Sequence, residues 1–186
     1  LHQRKNTGFI IFLLLVLLMS TAACSFVPPE GSAIGKPADN PDLLMQDAEY
    51  LLGIAGNEPV LIRAKTIEIY QTAGKAYLEN ITFTQQDSQG QTTVSGKALA
   101  AQIDTKTNNV SLTGDIVIIN HLDDLEITAQ ALTWIHDRRI FESEAESEAQ
   151  IAYGNGNSVR GTGFSADFTQ ATYEFLKISE GVLHYE

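Results

Sequence analysis

Four histidines, His2, His121, His136 and His184, are the first residues with chemistry to offer. None has a second histidine or a cysteine at metal-ligand spacing, so the pattern spells no metal site. His136-Asp137 runs into Arg138-Arg139, which reads as a polar turn rather than acid–base machinery. Gly161-Thr-Gly163-Phe-Ser-Ala166 fits a loose dinucleotide fingerprint. That motif needs a helix to follow, so that backbone N–H groups meet the pyrophosphate. Phe164, Ala166 and Phe168 continue at strand spacing instead, which makes the glycines part of a bend. Glu142, Glu144, Glu146 and Glu148 alternate as a solvated strand face or loop does. No constellation points to an enzyme, and none asks for a cofactor.

The one cysteine, Cys24, excludes an intrachain disulfide. It follows Arg4-Lys5, the apolar run Phe9–Met19 and the small residues Ser20-Thr21-Ala22-Ala23. A positive end, an apolar core and small residues before a cut site are the anatomy of an export signal. Small residues before a cysteine resemble a bacterial lipobox, whose cysteine is lipidated and becomes the new amino terminus. Thr21 stands where leucine is commonest. The alternative is an uncleaved helix, since the uncharged stretch from Phe9 to Val27 is nineteen residues long, close to the ~20 that span a bilayer. Residues 1–24 are therefore read as signal or anchor. Residues 25–41, with Pro28, Pro29, Pro37 and Pro41, are read as an extended tether.

Removing Arg4 and Lys5 from the twelve cations leaves ten against twenty-three acids, or −13. Such a charge makes nucleic acid an unsuitable partner. Any anionic ligand would be held through its apolar parts, with its charges left in water.

The elements that must position these residues follow a period of two. Val110, Leu112, Gly114, Ile116 and Ile118 alternate with polar or smaller neighbours. Leu99, Ala101 and Ile103 do the same, as do Phe164, Ala166 and Phe168. Alternation gives a strand one apolar and one wetter face. Turn clusters at Asp87-Ser-Gln-Gly90, Asn108-Asn109, Asp123-Asp124 and Gly154-Asn-Gly-Asn157 separate the runs. Residues 42–52 fit a short helix or a strand paired with Val60–Ala64. The remainder, to residue 186, reads as all-β. The strands also repeat: Ile67, Leu99, Leu132 and Phe164 hold equivalent places at spacings of 32, 33 and 32, and stacked repeats share a continuous core.

These repeats resemble the periplasmic lipopolysaccharide-transport bridge proteins, the LptC/LptA superfamily, and the LptC family within it. The resemblance covers about residues 42–186. It rests on Leu125-Glu-Ile-Thr-Ala-Gln-Ala-Leu-Thr-Trp134 running into Asp137-Arg-Arg-Ile-Phe-Glu-Ser143, and on Val159-Arg-Gly-Thr-Gly-Phe-Ser-Ala-Asp167. It implies an open β-jellyroll of two antiparallel sheets around an apolar slot, held on the periplasmic side of the inner membrane. Lipopolysaccharide or a related glycolipid would pass from an inner-membrane ABC transporter's permeases to an LptA-like bridge protein. Members typically keep a transmembrane helix, whereas this chain offers Cys24. Slot candidates are Ile67, Leu99, Ile103, Leu112, Ile116, Ile127, Leu132, Trp134, Phe164, Phe168 and Phe175. Val182, Leu183 and Tyr185 are candidates for the edge offered to the next bridge protein. The competing expectation is a periplasmic β-repeat lipoprotein that scaffolds other proteins.

Overall fold

The computed structural model describes residues 35–52, 58–168 and 170–184. Among them every regular element is a strand: β1 (Leu43–Leu52), β2 (Val60–Tyr70), β3 (Lys75–Gln86), β4 (Thr92–Asp104) and β5 (Val110–Asn120). β6 (Leu125–Ile135), β7 (Ile140–Glu142), β8 (Glu148–Tyr153), β9 (Ser158–Asp167) and β10 (Thr172–Val182) follow. Residues 43–52, which the sequence left between helix and strand, form β1 and pair antiparallel with β2, Ala48 opposite Ala64. Residues 53–57, between β1 and β2, lie outside the described residues.

Each strand pairs antiparallel with its neighbour in sequence, so the fold is an extended meander. β7 and β8 both bridge β6 to β9, which makes them one strand interrupted at residues 143–147. Glu144 and Glu146 sit in that interruption. The turns use short polar side chains to hold the backbone. Asp87 Oδ1 accepts from the N–H groups of Gln89 and Gln91, both at 2.9 Å. Asn155 Oδ1 accepts from Asn157 N–H at 3.0 Å in the β8–β9 turn.

The two expected faces arise from one continuous hydrogen-bonded sheet. Its pairing lapses along one line that crosses the strands near their middles, and the register itself shifts there on both sides of β5. On that line lie Asp47, Asn80, Asp115, Gly114 and Gly163, with φ of 46°, 48°, 45°, 76° and 64°. Left-handed backbone inside a strand makes a bulge and a sharp bend, and Asn, Asp and Gly tolerate it best. The interruption between β7 and β8 falls on the same line, where Ser143 N–H donates to Phe164 O at 2.8 Å. Each strand therefore runs through both faces, and the faces are two halves of one folded sheet. The first half holds residues such as 60–64, 81–86 and 116–120; the second holds 66–70, 75–79 and 131–135.

Inward-facing residues record the fold line. Within each half they step by two, as in Ile62 and Ala64 or Leu132 and Trp134. Across the line they step by three: Ala64 to Ile67, Leu78 to Ile81, Ala98 to Ala101 and Ala129 to Leu132, all buried. This corrects the placement of Leu99. It sits on the outside of the corner, 52% exposed, while Ala101 takes the inward place. The equivalent residues of the repeat are thus Ile67, Ala101, Leu132 and Phe164. Leu99 lies over Gly114, where an added Cβ would come within 2.8 Å of Leu99 Cδ1. Leu176 covers Gly163 in the same way.

The core fills the space between the halves, with Ile67, Leu78, Ile103, Ile116, Ile118, Leu125, Ile127, Leu132 and Phe164 all but inaccessible. The end of the tether is clasped to the outer surface of the second half. Tyr77 Oη donates to Gly35 O at 3.0 Å, and Lys36 Nζ reaches Glu68 at 3.1 Å and Glu79 at 2.9 Å. Burial works against the Lys36 charge, yet the hydrogen bonds to Glu79 and Glu68 raise its pKa on balance.

Candidate functional site

Between the two halves lies a cavity of about 180 Å³. The first half contributes Leu52, Val60, Ile62, Ile81, Phe83, Gln85 and Val94. The second contributes Ala101, Ile103, Val110, Leu112, Trp134, Phe141 and Phe168. Gln85 is the one polar lining residue, and its Nε2 is engaged with Glu58 O at 2.8 Å. A purely apolar void of ~150 Å³ stays dry and takes a benzene-sized guest. The slot in this conformation therefore accommodates one short stretch of hydrocarbon.

Aromatic side chains form a row along the rim of the second half. Trp134 and Phe141 centroids are 5.0 Å apart, Phe141 and Phe168 5.8 Å, and Phe168 and Tyr173 6.2 Å. Alternation on successive strands brings them to one face, and tilted and edge-on contacts suit their ring quadrupoles. Where the row ends, Tyr173 of β10 meets Asn120 and Asp123 from the end of β5 and the turn after it. Asn120 Nδ2 donates to Asp123 Oδ2 at 2.6 Å, and Asn120 Oδ1 accepts from Leu122 N–H at 3.0 Å. Burial, then the Asp123 charge, pushes the Tyr173 phenol up.

Four of the residues singled out from sequence line the cavity: Ile103, Leu112, Trp134 and Phe168. Ile67, Ile116, Ile127, Leu132 and Phe164 are buried in the core rather than among its lining residues. Phe175 is half-buried against Phe164, ring centroids 5.0 Å apart. Leu99 is outside the corner, as described above. Val182 and Leu183 are 38% and 61% exposed at the end of β10; Tyr185 and Cys24 lie outside the described residues. The sequence reading missed the lining of the first half, Leu52 to Val94, together with Ala101, Val110 and Phe141. The signal that could have found it is the inward step of three, which assigns Ile81 and Phe83 to the face that Leu78 shares.

The polar motifs weighed at the outset are separate from this slot. Gly161 and Gly163 lie within β9, with no helix after them. His136 and Asp137 fall in the β6–β7 turn, and His121 Nε2 pairs with Ser95 Oγ at 2.8 Å. Among the described residues no three His, Cys, Asp or Glu side chains converge as a metal site would require. Nor is any helix among them long and apolar enough to cross a membrane.

An antiparallel sheet folded on itself around an apolar slot, with edge strands β1 and β10 each paired on one side, defines an open β-jellyroll. Proteins of this class can lay an apolar guest between two sheet faces. The chain belongs to the lipopolysaccharide-assembly, LptC-related family, whose model matches residues 9–184. No curated protein matches it. Family membership ties it to lipopolysaccharide transport and to the inner-membrane-associated, periplasmic part of that system.

Proposed function

We propose that this domain receives the acyl part of lipopolysaccharide, or of a related glycolipid, from an inner-membrane ABC transporter. It holds that part in the slot and passes it to an LptA-like bridge protein. The observation that carries this reading is the lining: of fourteen residues drawn from both halves of the sheet, Gln85 alone is polar. Each methylene taken from water into such a lining gains about 0.8 kcal/mol. The sugars and phosphates stay outside, which suits a domain of strongly acidic charge.

The slot is small for several acyl chains at once. The two halves are joined through the backbone at the fold line, so parting them at the rim widens the slot without breaking the strand ladder. Free edges at β1 and β10 can each add a strand from another protein. In this reading β1 meets the transporter, and Val182, Leu183 and Tyr185 present the outgoing edge. The anchor is acylated Cys24, or an uncleaved helix in its place; mass spectrometry of the mature amino terminus distinguishes the two.

A photo-crosslinker at Trp134 or Phe168 should capture glycolipid in cells, and the same group at Leu99 should capture none. Crosslinks to protein alone at all three positions would favour the scaffold reading and sink the carrier.

A further inference from the structure

Gln85 apart, the slot's lining is apolar as far as Phe168, and the next aromatic, Tyr173, brings a hydroxyl. That hydroxyl is screened from water, and Asn120 approaches it short of full hydrogen-bond geometry. The polar groups beside it have other partners as well. Asn120 is itself buried, 7% exposed, with one N–H of its amide given to Asp123 and its oxygen receiving Leu122 N–H. Tyr173 comes from the second half of the sheet and Asn120 from the first, so the two halves meet at this pair, next to Phe168 and just beyond the lining residues of the slot. Folded proteins seldom leave a buried donor unpaired unless a ligand or water completes it.

An acyl chain lying in the slot is hydrocarbon until its ester or amide carbonyl, the first polar atom towards the headgroup. The geometry points to Tyr173 as the donor for that carbonyl, with Asn120 and Asp123 as positioning residues that leave its O–H free for the ligand. This rests on the slot reading proposed above and adds to it a polar selection for acyl linkages. The apolar lining alone could not make that selection, because it meets every hydrocarbon chain alike.

The test uses the full chain and two probes, a glucosyl diacylglycerol with ester-linked chains and its ether-linked counterpart, which lacks both carbonyls. The wild type should bind the ester probe about fivefold more tightly, the value of one ordinary hydrogen bond. Tyr173→Phe keeps the ring and should bind both probes as the wild type binds the ether. Equal binding of the two probes by the wild type, or a preference retained in Tyr173→Phe, overturns the inference and leaves the slot standing. If neither probe binds, the slot reading fails and this inference falls with it. Infrared spectra of the bound ester probe decide the matter on the wild type alone, should the variant not fold. A carbonyl band lowered by hydrogen bonding supports the contact, and one at the free-carbonyl frequency overturns it.

Discussion

Asp104 shows how much one carboxylate holds at the β4–β5 turn. Its Oδ2 accepts from Lys75 Nζ at 2.9 Å, and its Oδ1 accepts from the N–H groups of Lys106 at 2.9 Å and Thr107 at 3.0 Å. The Lys75 contact first, then the backbone donors, hold its carboxyl well below the usual carboxylate range. A depressed folded-state pKa contributes stability that is present above the ordinary carboxylate value. It is lost as pH falls through the folded one. Asp104→Asn should therefore lower the urea midpoint at neutral pH, and its deficit against the wild type should shrink below about pH 4. An equal deficit at both pH values would argue against this role. At the same scale, Leu99 is the residue whose type misleads: a leucine in an alternating run reads as inward, yet it covers Gly114 from outside. Trp134 and Phe168 were legible as inward residues because no fold line intervenes between them and the rim of their half.

Strand identity and turns were legible because both are local. β-Branched and aromatic residues at period two, bounded by Asn, Asp and Gly, specify extended chain wherever they occur. The corner within each strand was not. A single Asn or Asp inside a strand reads as a polar outward residue, and only its φ shows that it turns the chain. Asn80 is such a residue, exposed and at φ 48°. Asn80→Gly should leave stability nearly unchanged, since glycine adopts that backbone freely. Asn80→Val should cost about 1–2 kcal/mol in urea unfolding, the penalty of a left-handed β-branched residue. If valine were as well tolerated as glycine, the fold line would not depend on that conformation.

For the molecule as a whole, function rests on two halves of one sheet enclosing an apolar slot rather than on any single group. A charge within the slot should therefore stop lipid capture while the sheet survives. Val110 lines the slot near its rim and pairs with Ile103 and Trp134. Val110→Arg can send its guanidinium towards water, so strand content by circular dichroism should persist. Lipid capture should fall by roughly tenfold or more, because a guest filling the slot would bury that charge away from water or meet the arginine stem in its place. Val117→Arg, on the outer face of the same strand, should leave capture unchanged; losing capture in both variants would point to general disruption. The sequence by itself determined that residues beyond 60 form strands, where several of them turn, and that their repeats resemble one transport family. Those are consequences of side-chain alternation and turn chemistry within a few residues. Only the tertiary structure decided which apolar residues share the slot. The inward pattern of each strand skips one residue where pairing with its neighbours places the fold line. That choice moved the inward place from Leu99 to Ala101, and it set Phe83 and Val94 across the slot from Trp134 and Phe168.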